Sequence, residues 1–292
     1  MQTTVKRITD FAVSKTLGIF LNVLYFFSAQ RSTALAYTLF STPQSGRLSP
    51  ERLPQFLQAA RSERLQLGPH QIQTYQWTGS GPTILLIHGW QSNSSRWQQL
   101  IEYLQGCNYH LITLDAPGQG LSNGKEFSPP IYASFIDLAL RKFRPKILIS
   151  HSLGSFSSLY QLAQSSYPHL EKNIILGCPN AFKNIVRNFQ KLLSFSDRNY
   201  HHLVGRLENM INMSLEDYNS DRFIQQIALP TLVIHDIADE TIPLAEAVSI
   251  ANASPNTTLL VTENLGHSLQ DLKVYRSIAL FISPLSQFPH KV

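Results

Sequence analysis

Short runs of apolar residues recur along the chain, separated by stretches that can be helices. Residues 83–87 read Thr-Ile-Leu-Leu-Ile, and segments 111–114, 173–176, 231–234 and 257–262 have the same character. A continuous apolar run of four to six residues bounded by turn residues suits a strand buried on both faces. Residues 71–77 alternate weakly and suit an edge strand. Between these runs, 96–104, 130–143, 155–165, 244–251 and 272–282 can be helices, and 50–60 reads as a short one. Strands alternating with helices predict an α/β protein: a mostly parallel central sheet with helices on both faces.

Two stretches break the alternation. Residues 181–228 follow a strand and are helical in pattern, with Phe182, Phe189, Leu192, Leu193, Phe195, Leu203 and Met210. An insertion of that length reads as a helical lid, expected to cover the strand ends and to wall an apolar pocket with Phe189 and Leu193. Residues 1–45 are apolar and helix-like, and the predicted division is 1–45 as an N-terminal helical segment and 46–292 as the main domain. Lys6 and Arg7 precede the apolar run 17–29, which Asn22 interrupts. Three readings of this segment stand. It is a retained helix packed on the domain or resting on a membrane surface, a signal peptide with Ala34-Leu35-Ala36 as its small-residue site, or a membrane anchor. Its large apolar side chains favour docking, and the expected place is beside the active-site entrance.

Composition narrows the class. Of 292 residues, 43% are hydrophobic and 15% charged, the balance of an ordinary globular core. The net charge of +5 comes from scattered Lys and Arg, so a solvated basic surface is expected and no nucleic-acid partner. Cys107 and Cys178 make neither a disulfide framework nor a metal site. They are compatible with the expected cytoplasmic location, which leaves room for peripheral membrane contact through the N-terminal segment.

The chemistry centres on residues 147–154, Ile-Leu-Ile-Ser-His-Ser-Leu-Gly. A strand, a sharp turn and a helix with Ser152 at the apex form a nucleophile elbow. Bulky side chains two positions before or after the apex would clash; here those positions are Ser150 and Gly154. A serine hydroxyl needs an imidazole to take its proton and a carboxylate to orient that imidazole. Candidates follow later strands: Asp236 and Asp239 in one turn, and His267 in another. His88-Gly89-Trp90 and Asp115 also follow strands, where ligands of such sheets bind.

Taken together these segments resemble the α/β-hydrolase superfamily, over about residues 71–282. His88-Gly89-Trp90 resembles its oxyanion loop. Residues 115–122, Asp-Ala-Pro-Gly-Gln-Gly-Leu-Ser, resemble its Asp-x-x-Gly-x-Gly-x-Ser turn. Residues 236–243, Asp-Ile-Ala-Asp-Glu-Thr-Ile-Pro, resemble its Gly-x-x-Asp-x-x-Val-Pro turn, with Asp236 where glycine is usual, as Ser150 stands where the elbow usually has glycine. The resemblance implies Ser152 as nucleophile, His267 as base and then acid, and Asp239 as the orienting carboxylate. It also implies the backbone N–H groups of Trp90 and Leu153 as oxyanion donors, with no metal or organic cofactor. His88 and Asp115 are expected to brace their loops. The implied activity is a serine hydrolase cleaving a carboxylic ester or thioester of a small-molecule acyl substrate, one with a hydrophobic acyl group. Alternatives on the same fold are a carbon–carbon bond hydrolase, a lactonase, a cofactor-free peroxidase and a non-catalytic ligand-binding protein.

Overall fold

A computed structural model of the chain describes residues 2–283, with 2–12 described as backbone alone. The chain divides into two compact units. One comprises Pro43–Asn180 and Ser220 onward; the other comprises the N-terminal residues to Thr42 and Ala181–Asn219.

The first unit holds an eight-stranded sheet. Its strands are β1 (Arg61–Leu67), β2 (His70–Trp77), β3 (Thr83–Ile87), β4 (His110–Leu114), β5 (Ile147–His151), β6 (Lys172–Leu176), β7 (Thr231–Asp236) and β8 (Thr257–Thr262), in the order β1-β2-β4-β3-β5-β6-β7-β8. Only β2 runs against the rest; it pairs antiparallel with both β1 and β4. Five of the strand expectations coincide with β3, β4, β6, β7 and β8 to within a few residues. The edge assignment is corrected. Residues 71–77 form the internal strand β2, and the edge is β1, whose Arg-Ser-Glu-Arg-Leu-Gln-Leu sequence is too polar to read as a strand. An edge strand has only one neighbour and can keep most of its side chains in water.

Period-two alternation sends successive side chains to opposite faces. Ile84, Leu86, Ile147, Ile149, Ile174, Leu176, Leu232 and Ile234 share one core with Leu100, Ile101 and Leu104 of α4 (Gln98–Gln105) and Val274, Tyr275 and Ile278 of α11 (Leu272–Ile282). The helices α5 (Pro129–Phe143) and α6 (Leu153–Gln164) pack on each other and on β3, with α6 also on β5. Pro54 divides the expected 50–60 helix into a 3₁₀ turn at Pro50–Arg52 and a single turn, α3 (Gln55–Gln58). The helix α10 (Leu244–Asn252) links β7 to β8.

The second unit is helical: α1 (Gln2–Phe27), α2 (Ala29–Ser41), α7 (Phe182–Leu193) and α8 (Asp197–Ile211). The two-part division expected from the sequence is therefore replaced. The N-terminal helices group with the insertion, and the insertion ends at Asn219 rather than 228, because α9 (Ser220–Ile224) sets Phe223 against Phe156 and Tyr160 of α6. The pairing of α1 with α7 depends on Gly18, where a Cβ would come within 1.7 Å of the Leu193 carbonyl oxygen. Asn22, which interrupts the apolar run, accepts a hydrogen bond from the Ser196 N–H at 2.7 Å. A buried polar knot ties α1, α2 and α8 together: Asn199 Nδ2 donates to Ser32 Oγ at 2.7 Å, and Ser32 Oγ donates to the Leu21 carbonyl at 2.8 Å. Phe189 packs edge-on against Phe40 and Phe195, and Leu193 is buried, so both expected pocket-wall residues are engaged in packing within this unit. Among the described residues no helix is long and apolar enough to cross a membrane. The side chains of Val5, Lys6, Arg7 and Phe11 lie outside the described residues.

Candidate active site

Every strand end that the sequence marked with a polar residue belongs to the sheet unit. Ser152 lies between β5 and α6 with φ +54° and ψ −129°, a conformation that L-residues rarely adopt. Such backbone strain costs about 1–3 kcal/mol and persists only where the surroundings impose it. The surroundings here are close. A Cβ on Gly154 would lie 2.3 Å from the His88 carbonyl oxygen, and one on Gly89 would lie 2.8 Å from Ser152 Cβ. Ser150, in place of the usual glycine, is fully buried and gives its hydroxyl to the Ile174 carbonyl at 3.3 Å. Ser152 sits at the N-cap of α6 yet makes no capping hydrogen bond with its side chain; its Oγ lies instead 3.0 Å from His267 Nε2.

His267 Nδ1 lies 2.7 Å from Asp239 Oδ2. The other Asp239 oxygen accepts the N–H groups of Thr241 at 2.8 Å and Ile242 at 2.9 Å. Burial alone would raise the pKa of this carboxyl; the hydrogen bonds from His267, Ile242 and Thr241 and the His267 charge outweigh it and hold the carboxyl below its usual range. Asp236 does not reach His267. It accepts from Ala238 N–H at 2.9 Å, Thr262 Oγ1 at 2.7 Å and Leu265 N–H at 3.0 Å. It thereby fixes the two turns that carry Asp239 and His267.

The expected oxyanion donors, Trp90 and Leu153, are chain neighbours of Gly89 and Gly154, the residues that bring the His88 loop and the elbow close together. Leu153 is the first residue of α6, so its N–H has no intrahelical acceptor. Trp90 follows Gly89, whose Cα runs past Ser152, and its ring packs edge-on against Phe127 at 5.1 Å. His88 braces this loop: Nδ1–H donates to the Gly89 carbonyl at 2.8 Å and Nε2 accepts the Ala116 N–H at 2.9 Å. Burial lowers the pKa of this imidazole to about 3, so it stays neutral. Asp115, also fully buried, closes its turn by accepting from Ser94 and Leu121 N–H, both at 2.9 Å; burial raises its pKa.

Three further residues support the turns that carry His267 and Asp239; of these the sequence offered only His151, as a residue that could line the pocket. His151 Nε2 lies 2.8 Å from the His267 carbonyl oxygen, and Arg96 Nη2 donates to the Ser268 carbonyl at 3.0 Å. His235 Nε2–H donates to the Ile242 carbonyl at 2.9 Å while lying 3.6 Å from Asp239 Oδ2. His151 instead bonds the His267 loop, and for Arg96 and His235 the signal was position alone, next to the packed Trp97 and to Asp236. Among the described residues no cluster of His, Cys, Asp or Glu could hold a metal ion, and Cys107 and Cys178 are free.

Comparison with known proteins agrees with this fold. A profile of the family described as serine aminopeptidase, S33, matches residues 80–221. The chain is 33% identical over 99 residues to the (E)-2-((N-methylformamido)methylene)succinate hydrolase of Acinetobacter baylyi, a stretch covering 32% of this chain but only 37% of that protein. It is 23% identical over 238 residues to the pimeloyl-[acyl-carrier protein] methyl ester esterase of Vibrio campbellii, covering 66% of this chain and 91% of that protein. Among solved structures, an esterase from Exiguobacterium antarcticum superposes with a TM-score of 0.60 at 17% identity, over 76% of this chain and 99% of the esterase. Strand order, elbow geometry and the family match over residues 80–221 lead to one conclusion: the chain has the α/β-hydrolase fold.

Proposed function

We propose that the protein is a serine hydrolase that cleaves a carboxylic ester or thioester through an acyl-enzyme. The observation that carries this reading is the unbroken relay from Ser152 Oγ to His267 to Asp239, with contacts of 3.0 and 2.7 Å. With Nδ1–H donated to Asp239, His267 Nε2 is free to accept the Ser152 proton as Oγ attacks the acyl carbonyl. The oxygen that becomes negative in the tetrahedral intermediate would be held by the N–H groups of Leu153 and Trp90, each worth about 3–4 kcal/mol in comparable sites. His267 then gives its proton to the departing alcohol or thiol. A water molecule, deprotonated by the same imidazole, releases the acid and restores Ser152.

Ester cleavage is supported by the esterase relative, 91% of whose length is matched by this chain. The Trp90 ring packed on Phe127 beside the elbow loop favours a hydrophobic acyl group. The test is turnover of p-nitrophenyl esters of graded chain length by wild type and Ser152→Ala. Hydrolysis abolished by the substitution supports the reading; hydrolysis at near wild-type rate by Ser152→Ala refutes it.

A further inference from the structure

The helical unit carries a surface that the hydrolase chemistry does not use. Its helix α1 has two faces. One is committed: Leu21 is fully buried and Gly18 abuts α7. The other exposes Val13, Ile19, Phe20, Val23, Phe26 and Phe27, with Phe26 at 84% and Phe27 at 78%. Spacings of three, four and seven place these residues on one stripe, about 20 Å long at 1.5 Å per residue. Single exposed apolar residues are ordinary, but a continuous ridge ending in two exposed phenylalanines marks an interaction surface.

The stripe does not stand alone. At its end, Tyr25 meets the His202 ring edge-on at 5.4 Å, and His202 lines a groove of about 970 Å³ between α2 and α8. Gln30, Thr33, Arg206 and Met210 line the same groove, with the Arg206 guanidinium over the Tyr37 ring. Arg31, exposed on α2, lies four residues beyond Phe27. Charge follows the same division. The residues of this unit include nine Lys and Arg against five Asp and Glu, whereas the sheet unit has fifteen against fourteen. Nearly all of the net positive charge therefore sits with the apolar stripe.

We propose that this surface docks the protein on an anionic lipid bilayer. The α1 stripe would lie in the plane of the interface with Phe26 and Phe27 in the acyl boundary, while Arg31 and the Arg206 groove face the headgroups. An amphipathic helix with one face packed on its own unit and an exposed apolar face bounded by cations has the chemistry of an interfacial helix. A second copy of the chain is a poorer occupant, because it would bring like charge against like. The inference does not depend on the proposed ester chemistry.

The experiment is sedimentation of the full-length protein with sucrose-loaded vesicles, either phosphatidylcholine alone or about seven parts phosphatidylcholine to three of phosphatidylglycerol. Wild type is expected to bind the anionic vesicles about tenfold or more tightly than the neutral ones, and to lose that preference as salt rises from about 0.1 M to 0.5 M. Phe26→Ser with Phe27→Ser should weaken binding about tenfold or more with an unchanged melting temperature. Arg31→Glu, which leaves the stripe intact, should weaken binding to anionic vesicles alone. The proposal is overturned if wild type binds neither vesicle, or if the double variant binds like wild type. It is also overturned if the double variant converts a dimer to a monomer while wild type ignores lipid.

Discussion

Nε2 of His267 lies 3.0 Å from Oγ of Ser152 although 115 residues separate them in the chain. The contact exists because β5 and the turn after β8 end at the same edge of a parallel sheet, and because Asp236 and His151 hold the His267 turn in place.

The strained apex separates stability from activity. Ser152→Ala should lower kcat by about 10⁴–10⁶ and leave the melting temperature near that of wild type. Ser152→Gly should be equally inactive but about 1 kcal/mol more stable, because glycine relieves φ +54°. Paired urea melts of the two variants check this, and a glycine variant less stable than the alanine one would contradict it.

The two aspartates should fail differently. Asp239→Asn removes the acceptor that fixes the His267 tautomer and should cost about 10⁴ in kcat with the fold retained. Asp236→Asn instead weakens three hydrogen bonds that hold the turns. It should lower stability by about 1–3 kcal/mol with a smaller loss in kcat. Melting curves and kinetics on both variants decide the assignment, and the reverse ranking in kcat would overturn it.

Acid should destabilise the protein before its carboxylates titrate. Burial keeps His88 neutral down to about pH 3 and, with the nearby Arg96 charge, holds His151 well below its usual value. The unfolded chain protonates both near pH 6.5, so it binds more protons than the folded state below that value and stability falls with pH. Asp236 and Asp239, with lowered values, add a further loss below about pH 4, while Asp115, with a raised value, acts in the opposite sense. Urea midpoints from pH 7.5 to 5 should fall, and His151→Gln should flatten that slope. An unchanged slope would show that His151 is not held neutral.

Removing residues 1–42 should expose the faces of α7 and α8 that α1 and α2 cover, and leave Asn199 without its Ser32 and Leu21 partners. Limited proteolysis should then cut within 181–219 in the truncated protein and spare that stretch in the full chain. Equal protection in both would mean that the insertion is stable without the N-terminal helices.

The sheet was legible because strands sandwiched between helix layers must be apolar throughout, and 83–87, 173–176 and 231–234 carry that mark. The elbow was legible because its steric demand is local: small residues at 150 and 154. The edge strand β1 was not, since its exposed side chains obey no core. Nor was the union of the N-terminal helices with the insertion, which rests on Gly18 meeting Leu193 and Asn199 meeting Ser32. Such contacts join residues more than 160 positions apart, and no local pattern announces them. The choice of Asp239 over Asp236 was legible from the spacing of the family's turn, whereas the partners that occupy Asp236, Ala238 N–H, Thr262 Oγ1 and Leu265 N–H, appear only in the folded turns.

The most direct test of the central claim is covalent capture. An alkyl fluorophosphonate reacts only with a serine activated as a nucleophile. Intact-mass and peptide spectrometry of the labelled wild type should show one adduct, on Ser152, and none on Ser152→Ala or heat-unfolded protein. Absence of an adduct on the folded wild type, or an adduct on another residue that survives in Ser152→Ala, would contradict the assignment of Ser152 as the nucleophile.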